Sequence, residues 1–222
     1  MRNLVIAVLL LGSWTLGADP LWDKASKLLE TSKAWKPTLT VTTSLDLDSS
    51  GKVNETVVMT TRYGIDAQGR TTRQNIRVVK NGKEDKPDAV ATATPAPKDP
   101  TDPLEAAAQP FVKLEPASAA SWKGTETMVY RYTFLPSGGW GLKGKIWIDK
   151  ATGVAIHRES ELSPKPPFVD TGNFVQETAW DPRGFARTDS IVIDFSGSFL
   201  GLKKAIRMTS EVKDYARAAG TN

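Results

Sequence analysis

The sequence predicts an α+β domain in which one helix near the start lies against the concave face of a curved, antiparallel sheet. Three observations carry that reading. Apolar residues recur at three- and four-residue spacing just after residue 18. Strict alternation then takes over and returns in about nine segments separated by short polar turns. A proline-rich stretch interrupts the alternation only once over a long distance.

The helix is read over residues 20–35. Leu21/Trp22, Ala25, Leu28/Leu29, Ser32 and Trp35 form its stripe, while Lys24, Lys27, Glu30 and Lys33 fall mostly off it. Asp19 can cap it, Pro20 suits its first position, and Pro37 ends it. Leu39, Val41, Thr43, Leu45 and Leu47 then alternate with Thr40, Thr42, Ser44 and Asp46. A turn at Asp48-Ser49-Ser50-Gly51 leads to Val53, Val57, Met59, Tyr63 and Ile65 on one strand face. After a second turn at 66–69, Thr72, Ile76 and Val78 mark a third strand, closed by Asn81-Gly82.

Residues 83–120 contain seven prolines among Ala, Thr, Lys and Asp, a composition read as a long loop or insert and not as sheet. Its orderly piece is 103–109, a helical turn or two packed by Leu104, Phe111 and Val112. A loop of this length inside a compact domain suggests a lid or a binding loop. Alternation resumes with Met128, Tyr130, Tyr132 and Phe134 on one face of a strand. Gly138-Gly139-Trp140-Gly141 turns the chain into 144–149, and Lys150-Ala151-Thr152-Gly153 makes a tight hairpin into 154–162. Strands at 173–180, 185–195 and 202–215 follow, with turns at Asp181-Pro182-Arg183-Gly184 and Ser196-Gly197-Ser198.

Met1-Arg2-Asn3, the unbroken apolar run 4–11 and the small residues from Gly12 read as a secretory signal peptide, 1–18. The run is too short to cross ~30 Å of hydrocarbon. Cleavage after Ala18, or equally after Gly17, leaves one mature domain, 19–222. With no cysteine in the chain, no disulfide staples the domain and no lipid can be attached at a cleavage-site cysteine. The expectation is a protein that does not span the membrane, resident in the periplasm or secreted, and monomeric. A net charge of +4 over 222 residues is too weak a field to suggest nucleic acid.

No reaction is legible. His157, the only imidazole, shares a strand face with Glu159 and Glu161 and reads as a solvated polar residue, with no nucleophile elbow nearby. One His and no Cys leave zinc without its usual ligands, and no phosphate-cradling glycine loop opens a helix. Carboxylate pairs such as Glu159/Glu161 and Asp46/Asp48 are common on exposed strand faces, as is the basic Arg73/Arg77 face. Hence no cofactor, metal or catalytic residue is expected. Large aromatic residues such as Trp22, Trp35, Trp140 and Trp147 can line a cavity or fill a core, and periodicity favours core.

Gly144-Lys145-Ile146-Trp147-Ile148-Asp149-Lys150-Ala151-Thr152-Gly153, a strand ending in Trp-x-Asp and a Lys-x-Thr-Gly turn, followed by Arg158-Glu159, resembles the LolA-like lipoprotein-carrier superfamily. The Tyr130-x-Tyr-x-Phe-Leu-Pro strand, the Asp181-Pro-Arg-Gly turn and the final Lys203/Lys204 strand ending in Asp214-Tyr215 come in the order of that family. The resemblance covers roughly residues 103–215. It implies an incomplete antiparallel barrel wrapped around the N-terminal helix and lid helices, with an apolar cavity between them. Trp22, Leu28, Leu29, Trp35, Tyr130, Tyr132, Phe134, Trp147, Ile206 and Met208 are the candidate lining. The implied function is a non-catalytic periplasmic carrier or chaperone for lipoprotein acyl chains or another apolar ligand. The alternative is an envelope protein–protein interaction or stress-sensing module that carries no lipid.

Overall fold

The computed structural model describes residues 19–65, 71–87, 91–92, 100–136, 141–199 and 202–218. Within them lie one α-helix, α1 (Pro20–Ser32), a 3-10 helix (Ala106–Phe111) and thirteen strands. The strands are β1 (Trp35–Leu47), β2 (Val53–Ile65), β3 (Thr71–Lys80), β4 (Lys83–Asp85), β5 (Ala91–Thr92), β6 (Val112–Leu114), β7 (Ser118–Trp122), β8 (Thr125–Phe134), β9 (Leu142–Asp149), β10 (Ala155–Leu162), β11 (Val169–Asp181), β12 (Phe185–Phe199) and β13 (Leu202–Arg217). The signal peptide and the turns expected at 66–69 and 138–140 lie outside the described residues.

All thirteen strands join one antiparallel sheet in the order β4-β3-β2-β1-β13-β12-β11-β10-β9-β8-β6, with β5 beside β3 and β7 beside β8. The sheet is curved, does not close into a barrel, and wraps around the helices. It is not a simple meander. Two meanders are joined through β1 and β13, which pair from Trp35↔Arg217 to Leu47↔Ala205. The chain therefore leaves one edge of the sheet at β4 and re-enters at the opposite edge at β6.

Asp19 caps α1, accepting from the amides of Leu21 (2.9 Å) and Trp22 (3.3 Å). It also accepts from the Tyr130 hydroxyl at 2.8 Å, which ties the helix start to β8. The helix stops at Ser32, short of Pro37, because Trp35 and Pro37 are taken into β1 by pairing with β13. Pro37, which has no amide hydrogen to offer, sits where the register shifts, a position a proline tolerates within a sheet. The Asn81-Gly82 turn has φ of 50° and 77°, the left-handed pair that a two-residue hairpin requires. Ser196-Gly197-Ser198 does not turn the chain. It lies inside β12, which stays paired to β13 as far as Phe199↔Leu202.

The described part of the proline-rich segment carries more secondary structure than its composition suggests. Short strands β4, β5, β6 and β7 fall within or at the end of it. Its 100–111 stretch lies against α1 and closes the core. Leu104 and Ala108 are buried there together with Trp22, Ala25, Tyr130, Tyr132, Phe134, Ile146 and Ile148. Gln109 holds the stretch in place, accepting from the Trp22 indole at 2.8 Å and donating to the carbonyls of Pro103 and Glu105.

Candidate functional site

Register fixes which residues share the helix-bearing face. One cross-strand row runs Tyr130–Ile146–Arg158–Gln176–Ile191–Ser210–Thr42–Met59–Val78. The next runs Tyr132–Gly144–Ser160–Phe174–Ile193–Met208–Ser44–Val57. Alternate residues point to the other face. On β1, therefore, the face turned toward the helix side carries Thr40 and Thr42, while Leu39, Val41 and Leu45 lie on the other.

Helix α1 packs on β9, β12 and the 3-10 helix, so it covers only the β8–β12 half of this face. Between helix and sheet the space is nearly filled. The remaining cavity is about 40 Å³, bordered by Ala25, Leu28, Leu29, Leu104, Arg158, Gln176 and Thr188. That is room for little more than one water molecule. Among the described residues the aromatic rings and the 103–108 segment thus take up the space expected for an apolar cavity between helix and sheet, leaving only this small remainder. Trp22, Tyr130, Tyr132 and Phe134 are core residues, with the Trp22 and Tyr130 rings 5.4 Å apart. Leu28 and Leu29 border the small residual space.

The other candidates lie elsewhere. Trp35 stacks on Phe185 at 4.4 Å, with the Arg183 guanidinium 4.8 Å over its ring. Trp147 is on the opposite face of the sheet, since it alternates with Ile146 and Ile148; there it meets Trp122 and His157. Ile206 and Met208 share the helix-bearing face but stand beyond the helix, and Ile206 is 41% exposed beside its cross-strand neighbour Phe195, 40% exposed.

His157 is not solvated. It is 3% exposed, stacked on Trp122 at 3.8 Å, with Nδ1 3.1 Å from Glu177 and Nε2 3.3 Å from Glu159. The expected solvent position is corrected because β7, read as loop, brings Trp122 over the ring. The arrangement ties β7 to β10 and β11.

One largely buried ion pair joins the sheet to the core-closing segment. Arg158 donates to both Asp102 oxygens at 2.8 and 2.9 Å across the helix-bearing face, linking β10 to the segment that closes the core. Burial alone would depress the guanidinium pKa, but Asp102 outweighs it and raises it. The Tyr132 hydroxyl is 2.5 Å from Ser160 Oγ, and burial pushes the Tyr132 phenol up. Burial, then the Asp19 carboxylate, raises Tyr130 likewise. Each of these groups has a partner, as buried polar side chains require, although the buried Arg158 Nε has none of its own.

The room on this face lies where the helix does not reach. A groove of about 660 Å³ opens over β1, β2, β3, β12 and β13. Pro37, Thr40, Thr42, Tyr63, Ile191 and Val212 supply much of its wall, with Lys36 and Arg217 also on its border. The wall is chiefly apolar although threonine-rich. Thr42 and Ser210 hydrogen-bond each other at 2.9 Å, and Thr38 donates to Asp214 at 3.0 Å. Hydrogen bonding thus takes up the Thr38 and Thr42 hydroxyls within the sheet. Sequence reasoning missed this groove because Thr40 and Thr42 read as the polar side of a strand. The signal that could have found it is threonine at successive same-face positions of a strand next to apolar ones.

Among the described residues no helix is long and apolar enough to cross a membrane, and no group of three His, Asp or Glu is placed to hold a metal.

No protein-family model matches the chain, and no curated protein does so at a significant level. Several solved structures align with the chain at low identity. A "putative outer membrane lipoprotein-sorting protein domain" from Vibrio parahaemolyticus is 11% identical, with 90% of this chain and 95% of that one covered and a TM-score of 0.41. A DUF1329 family protein from Desulfovibrio piger is 9% identical over 91% and 93% of the two chains, TM-score 0.40. MucB in the MucA/MucB complex of Pseudomonas aeruginosa is 10% identical over 88% and 94%, TM-score 0.29.

Proposed function

We propose that this protein is a non-catalytic periplasmic binder of an acyl chain, carried in the groove beside the helix. One observation supports the reading most: a groove of about 660 Å³ with mainly apolar walls on the concave face. Ligand sites of this kind measure roughly 300–1,000 Å³ and are concave and mostly apolar. Each methylene taken from water contributes ~0.8 kcal/mol, so a chain of about ten gains on the order of 8 kcal/mol before the costs of association. The signal-peptide pattern at 1–18 supports placement beyond the inner membrane. Lipoprotein transfer is one use of such a site, and its acyl chains are one cargo.

The test is direct. Gently purified protein is expected to carry a co-purifying acyl species in native mass spectrometry and to take up a fluorescent fatty-acid probe. Filling the groove with Thr42→Trp should abolish uptake while leaving the circular dichroism spectrum and melting temperature near wild type. A clean mass together with no probe uptake by the native protein removes the proposal.

A further inference from the structure

The groove is not evenly neutral. Its border carries two cations, Lys36 and Arg217, and no carboxylate. On the β1–β13 ladder Trp35 faces Arg217 and Lys36 faces Ala216, so the two side chains leave neighbouring rungs on opposite faces, and both border the groove at its rim. Both are exposed, and among the described residues neither makes an ion pair or a side-chain hydrogen bond. That sets them apart from cations elsewhere on the same strand pair. Lys204 pairs with Asp46, Arg207 with Asp194, and Lys213 with Glu211. The carboxylate closest in sequence to Arg217, Asp214, is engaged by the Thr38 hydroxyl at 3.0 Å and the Tyr215 amide at 2.8 Å. Depressions bordered by Lys203 and Lys204 include Asp46, Asp48 or Asp170 in their own walls, and one bordered by Lys143 and Lys145 includes Glu159 and Glu161.

An apolar trough ending at two unpaired, flexible cations is complementary to an amphiphile with one apolar tail and one anionic head. Resting on the acyl-binding reading above, we propose that the occupant is a free fatty acid, its chain along Thr40, Thr42, Ile191 and Val212 and its carboxylate at the rim that Lys36 and Arg217 border. A cation meeting a carboxylate makes a charge-assisted hydrogen bond, stronger than the contact a neutral head would make in the same place. At an exposed rim this contact is screened by salt, so the preference for acid over alcohol should shrink as ionic strength rises.

Calorimetric titration of the whole exported protein with dodecanoate, dodecanol and dodecyl phosphate separates the claims. Wild type is expected to bind dodecanoate about tenfold more tightly than dodecanol at low salt. Lys36→Gln with Arg217→Gln should bring dodecanoate down to the affinity of the alcohol and leave the alcohol unchanged. Equal binding of acid and alcohol by wild type, or an acid preference that survives the double substitution, overturns the head-group assignment and leaves the acyl site standing. Dodecyl phosphate binding well above dodecanoate overturns the fatty acid in favour of a phosphate-headed lipid. Failure of all three to bind removes the acyl site itself and this inference with it. The comparison of ligands on wild type needs no variant, so it stands even if the double variant folds poorly.

Discussion

Arg158 shows what one side chain does in this protein. It sits in β10 between Ile146 and Gln176 of the neighbouring strands, and its partner Asp102 lies 56 residues earlier, in the segment that seals the core. The pair is largely buried, with side chains 12% and 20% exposed. Desolvating two charges offsets much of their attraction, so such a pair contributes little net stability while both members remain. Losing one is different, because the other is left buried and unpaired. Arg158→Met is therefore expected to lower unfolding free energy by about 3 kcal/mol, and Arg158→Met with Asp102→Leu to recover most of that loss. Urea denaturation of the two variants checks it; equal losses would mean that packing and not charge governs the site. The family resemblance gives no warning of this contact, since Arg158 reads only as part of a strand motif.

At the scale of elements, the hairpin joining β11 to β12 is held by its own turn. Asp181 is nearly buried and accepts from the Arg183 amide and side chain at 2.9 Å, and Arg183 Nη1 donates to the Tyr215 carbonyl at 3.0 Å. The Arg183 guanidinium holds the Asp181 carboxyl down at about 2, below the ordinary aspartate value near 4. A carboxylate whose folded pKa is depressed binds its proton more readily in the unfolded chain. Its stabilisation is complete above about pH 4 and is lost as pH falls toward about 2. Wild type should therefore lose melting temperature more steeply between pH 4 and pH 2 than Asp181→Asn does, the two curves converging at the acid end. Parallel curves would show that the turn does not titrate with folding. This turn was readable, because Asp-Pro-Arg-Gly has residues suited to a tight reversal. The 20–32 helix was readable for a similar reason, its stripe and its Asp19 cap being local. Its end was misplaced because Trp35 and Pro37 obey a partner strand about 180 residues away.

Across the whole molecule, the connection between the two edges of the sheet is structural as well as topological. Leu104 and Ala108 fill the space under α1, and Glu30 accepts from the Ala106 amide at 3.0 Å, which lowers the Glu30 carboxyl pKa. Deleting residues 100–111 should thus abolish cooperative unfolding and expose dye-binding apolar surface, where removal of a dispensable binding loop would leave the melting curve intact. The same filling explains where a ligand can go. A helix laid over only half of a curved sheet leaves the other half uncovered, and the groove over β1, β2, β3, β12 and β13 is the consequence.

The sequence by itself determined the class of fold, the helix near the start, most strands and many of the turns, because a helical stripe, a two-residue alternation and a left-handed Asn-Gly pair act over a few residues. It also separated Tyr130, Tyr132 and Phe134 from the alternate residues of their strand. Tertiary structure alone decided which strand face looks toward the helix, since alternation distinguishes two faces without naming the inner one. That choice put Thr40 and Thr42 in the groove, Trp147 on the far side, and His157 beneath Trp122. For Thr40 and Thr42 it rests on the pairing of β1 with β13, a contact between opposite ends of the chain that no short stretch of residues encodes.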